Sequence, residues 1–264
     1  MLIDTHNHIS ESEFDADRTA VLERAAGAGV CKMIVIGTDL PSSQRAVALA
    51  EKHPDLWATV GLHPHESASM DGHLLSSLTS LTKDKKVVAC GEMGLDYYYK
   101  HATPEAQRHA LIAQIRLAKE KHLPMVIHAR EAWEDLFKIF EEEKVLEHGP
   151  DSAGVFHCFT GDLKIAQRAI DLGFYISFSG IVTFPKTASI QEAAATIPIE
   201  KMLIETDAPF LSPQGLRGKR NEPAHVRVVA EKIAQLRCCS IDEIAAHTSQ
   251  NAIRLFRLDR KLDQ

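Results

Sequence analysis

At 264 residues the chain has the length of one large α/β barrel or two small domains, and its 45% apolar content supports a substantial core. The net charge of −6 excludes a generally basic DNA-coating surface, so an anionic substrate would need a local positive source, from a basic loop or bound cations. Five cysteines without a C-x-x-C pair, no apolar run near the roughly 20 residues of a membrane span and no signal-peptide pattern point to a cytoplasmic protein with reduced thiols.

The first apolar run, Met1–Ile3, leads into His6 and His8. On a strand, residues i and i+2 face the same side, so the two imidazoles would converge on one point. They suit a shared metal ion, and equally a polar strand end bonded to water or backbone. Arg18–Ala28 has helical periodicity and stops at Gly29. Met33–Ile36 and Trp57–Val60 are the second and third apolar runs, the third ending in His63-Pro64-His65. Val87–Cys90 leads to Glu92. Thr103-Pro104 reads as the N-cap and first residue of a helix with Leu111, Ile115 and Ala118 on one face. Met125–Ile127 ends at His128, and Val155–Phe156 at His157. Phe174–Phe178 follows, and Met202–Ile204 ends at Glu205-Thr206-Asp207. Glu222-Pro223 opens a helix with Val226, Val229 and Ile233 on one stripe, and Ile241–Leu258 reads as a closing helix.

Strands that are continuously apolar suggest a parallel sheet buried on both faces. Eight β-then-α units without a linker or charge block predict one (β/α)₈ TIM barrel over residues 1–264, with an additional C-terminal helix. A doubly wound open sheet is the alternative. Six of the eight runs end in His, Glu or Asp, where a barrel has its carboxyl rim. One histidine there is ordinarily structural, but so many convergent polar groups need partners or an ion. Imidazole and carboxylate without thiolate suit Zn²⁺, Mn²⁺ or Mg²⁺, and Cys90 and Cys158 should alternate away from the site. Six candidate ligands exceed one tetrahedral ion and fit two ions about 3.5–4 Å apart, with Glu92 as the natural bridge.

The ordered segments Leu2-Ile3-Asp4-Thr5-His6-Asn7-His8, Gly61-Leu62-His63-Pro64-His65, Gly91-Glu92-Met93-Gly94-Leu95-Asp96, Pro124–Arg130, Phe156–Gly161, Leu203–Pro209 and Arg220-Asn221-Glu222-Pro223 closely resemble the TatD-type metal-dependent deoxyribonucleases. The resemblance covers nearly the whole chain. It implies that His6, His8 and Asp207 hold one cation, His128 and His157 the other, and Glu92 both. It further implies a 3′–5′ exonuclease on DNA ends, with RNA as a further substrate and links to DNA repair in some members. Ser10 departs from the acidic or amide residue frequent near that position, which leaves the ligands untouched.

Phosphodiester hydrolysis needs an activated water, charge stabilisation and help for the departing oxygen. Asp207 is the expected general base and Glu205 a supporting group or extra ligand. His63 and His65 are expected to stabilise phosphoryl oxygens or protonate the leaving group, or else to form a rigid solvated turn. Arg130 could grip a phosphate or form a rim salt bridge. The basic loop Arg217-Gly218-Lys219-Arg220-Asn221 could hold the nucleic-acid backbone through Arg220 and Asn221, or be solvated. Tyr97, Tyr98, Tyr99 and Phe184 are candidates for base stacking. A monomer is expected. The alternative function is a related barrel hydrolase acting on a small ester, lactone or amide, or on an aminoacyl-tRNA ester bond. A third possibility is a structural metal in a non-catalytic protein, against which the oxygen-rich open rim argues.

Overall fold

Val, Ile, Leu and Phe favour a pleated strand whose two faces are both covered, and the apolar runs form such strands. The computed structural model describes residues 1–148 and 153–259, so residues 149–152 and 260–264 of the expected 1–264 unit lie outside the described residues. The strands are β1 (Leu2–Asn7), β2 (Val30–Val35), β3 (Leu56–Val60), β4 (Val87–Asp96), β5 (Met125–Arg130), β6 (Gly154–Phe156), β7 (Phe174–Phe178) and β8 (Met202–Ile204). Each pairs in parallel with the next in chain order. β8 returns to β1 just beyond the strand ends. There Asp207 N donates to His6 O at 2.9 Å and His8 N donates to Ala208 O at 2.7 Å. The architecture is a TIM barrel.

The intervening helices are α1 (Arg18–Gly27), α2 (Leu40–Lys52), α3 (Gly72–Leu81), α4 (Pro104–Lys121), α5 (Trp133–Glu142), α6 (Leu163–Asp171), α7 (Ala188–Thr196), α8 (Val226–Arg237) and α9 (Ile241–Phe256). Thr103 caps α4 as its sequence suggests, its hydroxyl accepting from Ala106 N at 3.2 Å. The helix expected from Glu222-Pro223 starts later, because a 3₁₀ turn at Pro223–His225 precedes α8. The His225 ring bonds back to Asn221 Oδ1 at 2.8 Å and holds that first turn in the tighter winding. No helix among the described residues is long and apolar enough to cross a membrane.

The apolar side chains form two separate clusters. One lies between the strands and the surrounding helices. The other takes Ile3, Ile34, Trp57, Val126, Tyr175 and Leu203 from the strands, together with Leu255 and Phe256 of α9. α9 is tied to the strand starts by Ser249 Oγ donating to Met1 O at 3.1 Å and by Asn251 Nδ2 donating to Met202 O at 2.8 Å. The added helix thus seals the amino-terminal end of the barrel and leaves the carboxyl end as the open face.

Three strands outrun their apolar cores: β1 reaches Asn7, β4 reaches Asp96 and β5 reaches Arg130. The β4 extension passes Gly91 and Gly94, so hydrophobicity does not mark it, yet every residue in it is buried. Gly94 has φ +154°, and a Cβ there would lie 1.9 Å from His128 O. A Cβ on Gly61 would lie 2.5 Å from Gly91 Cα. The backbones of β3, β4 and β5 therefore approach at distances only glycine permits, directly beneath Glu92.

Candidate metal centre

Glu92 stands at the middle of the carboxyl rim, and its two oxygens face different histidines. Oε1 lies 2.9 Å from His157 Nε2, 3.0 Å from His128 Nδ1 and 3.3 Å from His63 Nε2. Oε2 lies 3.4 Å from His6 Nε2. Asp207 Oδ1 is 3.2 Å from His8 Nε2 and 3.5 Å from His6 Nε2. The His6 and His157 rings stack at 3.9 Å, which brings the two groups of histidines side by side. The six residues expected to hold metal are therefore gathered in one cluster around one carboxylate.

Neighbouring groups set the ring orientations. Asp96 Oδ2 lies 3.0 Å from His128 Nε2 and accepts its hydrogen, which leaves the Nδ1 lone pair aimed at the centre. Glu205 Oε1 lies 3.4 Å from His157 Nδ1 on the side away from Glu92, and also accepts from Cys158 N at 2.7 Å. His63 differs from the others. Its Nδ1 accepts from His65 N at 3.1 Å, so the neutral ring carries its hydrogen on Nε2 and presents a donor to the centre. His65 turns away from Glu92 to Asp96 Oδ2 at 3.1 Å. Distance alone groups His63 with Glu92 and His128 as possible ligands, but this tautomer favours the phosphate-facing donor role.

Charge follows from burial and neighbours. Burial alone would raise the Glu92 carboxyl, but His157, His63 and His128 around it hold it well below the usual carboxylate range. Burial lowers His63 to about 4, so its ring is neutral at pH 7. Burial also lowers His6. Asp4 is pushed up to about 8 by burial, while it accepts from Thr206 N at 2.9 Å and Thr206 Oγ1 at 2.7 Å. Asp4 thereby fixes the residue before Asp207, whose φ of +58° turns its carboxylate onto the histidines.

Sequence reading missed Asp96, Asp4 and a pair of glutamines on α4. Gln107 Nε2 donates to Asp96 O at 2.9 Å and Gln114 Nε2 donates to Leu62 O at 3.0 Å. The signal was available: two amides seven residues apart share the otherwise apolar face of α4. Cys90 points into the core as expected, and burial raises its thiol to about 12. Cys158 instead lines the cavity over the cluster, because β6 ends at Phe156 and strand alternation no longer applies at φ +44°.

Among the expected substrate contacts, Arg130 lines the cavity and lies over the rings of Tyr98 and Tyr99 at 4.1 and 5.0 Å. Tyr97 is turned aside, its hydroxyl donating to Asp135 Oδ2 at 2.7 Å. Phe184 lies under Arg217 at 4.5 Å. Arg220 and Asn221, expected on the nucleic-acid backbone, are turned into the fold. Arg220 binds Asp17 at 2.7 Å and Glu222 at 3.3 Å. Asn221 is fully buried, and its Nδ2 donates to Thr206 O at 2.9 Å and Phe210 O at 2.6 Å. The charge of Arg220 is thus spent on acidic partners the linear sequence does not reveal.

The donor set fits divalent cations. Among the described residues, His6 Nδ1 and Nε2, His157 Nδ1 and Glu205 Oε2 are buried without a hydrogen-bond partner. Leaving such atoms unsatisfied is costly, and a cation bound between His6 Nε2 and the two facing carboxylates would satisfy that nitrogen. Imidazole nitrogen with carboxylate oxygen suits Zn²⁺, Mn²⁺ or a similar ion. The cavity above has a volume of about 930 Å³, room for a nucleotide-sized ligand.

Comparison with known proteins agrees with this chemistry. A family model described as TatD related DNase matches residues 3–257. A Bacillus subtilis (strain 168) protein, named an uncharacterized metal-dependent hydrolase, is 42% identical over 259 residues, covering 98% of this chain and 100% of its own. An Escherichia fergusonii protein named as a 3′–5′ ssDNA/RNA exonuclease is 37% identical over 260 residues, covering 97% of this chain and 98% of its own. The crystal structure of a TatD homologue from Escherichia coli K12 superposes with a TM-score of 0.91 at 34% identity, covering 97% of this chain and 98% of that one.

Proposed function

The chain belongs to the TatD-related DNase family of metal-dependent hydrolases, and from that premise we propose that it is a 3′–5′ exonuclease acting on single-stranded DNA ends, and on RNA. The observation that carries this reading is the division of Glu92: each carboxylate oxygen faces a different set of histidines on the floor of a nucleotide-sized cavity. His6, His8 and Asp207 would hold one cation and His128 and His157 the other, with Glu92 contributing to both. Cations bound there would supply a water of lowered pKa and neutralise charge on the phosphate.

The chain's own groups do the rest. Asp207 takes the proton of the attacking water, since its carboxylate stands at the rim between His6 and His8. Asp96 holds His128 in the tautomer that presents a lone pair inward, and Glu205, 3.4 Å from His157 Nδ1, stands beside that ring. His63 donates its Nε2 hydrogen to a phosphoryl oxygen, and Arg130 meets the phosphate at the rim.

The test is to strip the protein of metal and offer 5′-labelled single-stranded DNA, duplex DNA and RNA with Mg²⁺, Mn²⁺ or Zn²⁺ in turn. A ladder of products shortened from the 3′ end is expected. No shortening under any cation, beside turnover of a small ester such as p-nitrophenyl acetate, would replace this reading with that of a small-ester hydrolase.

A further inference from the structure

Of all the Phe, Tyr and Trp side chains in the described residues, three are exposed: Tyr98, Tyr99 and Phe210. They are not scattered over the surface. Tyr99 and Phe210 line the cavity over the metal centre, and Tyr98 lies against Arg130, which lines it too. Tyr98 and Tyr99 already present their faces to the Arg130 guanidinium. Phe210 is used differently. Its ring meets His8 edge to face, with centroids 5.9 Å apart, and the residue remains 56% exposed.

The ring stands on a braced turn. Phe210 N donates to Asp207 O at 2.8 Å, and the buried Asn221 amide holds Phe210 O from below at 2.6 Å. Asn221 also holds Thr206 O, so the backbone that carries Asp207 and Phe210 is braced by one side chain. An exposed phenyl on a loose loop would fold back against apolar neighbours. Here the backbone keeps it at the cavity wall, next to a ligand histidine.

We propose that Phe210 is the stacking platform for the nucleobase of the terminal nucleotide, and so the residue by which the site distinguishes nucleic-acid ends from other phosphodiesters. The inference rests on the exonuclease reading and names how that substrate is recognised. Every nucleobase has a flat π-face, so a phenyl ring accepts any of them, which suits an enzyme removing nucleotides without regard to sequence. The position beside His8 puts the stacked base and the bond to be cut within the same nucleotide. Arg130, between its two tyrosines on another part of the wall, is left for the phosphate.

A cycle of protein and substrate changes tests the role. Wild type and Phe210→Ala would each be given an oligonucleotide with a normal 3′ end and the same oligonucleotide ending in a base-less tetrahydrofuran residue. Removing the ring or the base should each lower kcat/KM about tenfold, and removing both should cost no more than removing one. Phe210→Tyr should restore the loss. A 3′-terminal 2-aminopurine should lose fluorescence on binding the wild type and keep it with Phe210→Ala. Fully additive losses, or quenching undiminished in Phe210→Ala, would overturn the stacking role alone. Release of neither terminal residue by the wild type under any divalent cation would overturn the exonuclease reading, and the stacking role with it.

Discussion

Asp96 and His128 are coupled across adjacent strands, Oδ2 to Nε2 at 3.0 Å, and the same carboxylate accepts the backbone N–H groups of Tyr98 and Tyr99 through Oδ1. One buried side chain therefore orients a ligand and shapes the rim. Asp96→Ala should weaken cation binding by about 10–100-fold while leaving far-UV circular dichroism unchanged. Calorimetric titration of the stripped protein with Mn²⁺ or Zn²⁺ measures this. Unaltered affinity would mean that His128 needs no orienting partner.

Cation binding should be visible in stability, because the ligands come from separate strands that must be folded to meet. At about 100 times its Kd a bound ion adds about 2.7 kcal/mol. For a chain of this size that corresponds to a rise in thermal midpoint of roughly 5–11 °C. Chelation should remove the rise and Glu92→Gln should abolish most of it, as read by differential scanning calorimetry. A chelator-insensitive midpoint would count against a cation held by this cluster.

Two arginines separate substrate binding from folding. Arg130 lines the cavity, so Arg130→Ala should raise KM for an oligonucleotide about tenfold with little change in thermal midpoint. Arg220 is paired with Asp17 and Glu222, so Arg220→Ala should lower the midpoint and leave KM within about twofold. Equal effects on KM would return the basic loop to the substrate.

Glu222 supplies a pH dependence. Its carboxyl lies below the ordinary 4.5, first because the Arg24 guanidinium binds it in two contacts of 2.7 and 2.8 Å, and then because of Arg220. A depressed folded pKa means that the stabilisation is fully present above the unfolded value and is lost as pH falls through the folded one. Glu222→Gln should therefore be less stable than wild type at pH 7, by up to about 1 kcal/mol after screening. The two proteins should converge in acid, below pH 4.5. Urea midpoints across that range would show a constant gap if the pair contributed nothing.

Gly94→Ala should cost about 3 kcal/mol, because its Cβ would strike His128 O in the neighbouring strand and nothing soft can yield there. Gly72→Ala, at a helical position with nothing within 4 Å of the added atom, is the control and should be neutral or mildly stabilising. Chemical denaturation of both variants measures the contrast.

Much of this molecule was legible in its chain. The apolar runs named the strands, and the polar residues ending them pointed to the rim where His6, His8, Glu92, His128, His157 and Asp207 are gathered, since a parallel barrel has one rim to which strand ends can lead. What could not be read depends on partners remote in sequence. Arg220 looks like a nucleic-acid contact until Asp17, 203 residues earlier, takes its charge. His63 and His65 look equivalent, and differ only because one faces Glu92 and the other Asp96. Cys158 follows β6, and one left-handed residue there reverses the side that alternation assigns.

The closure of the barrel has a consequence for how the protein is made. Its first strand carries His6 and His8, and these meet Asp207 only when β8 docks against β1, where Asp207 N reaches His6 O. Synthesis therefore supplies the two histidines before β2 to β7 and their carboxylate only after them. A chain that ends before β8 has His6 and His8 without the Asp207 carboxylate that faces them. The full set of converging His, Glu and Asp side chains is assembled only when the last strand closes the barrel.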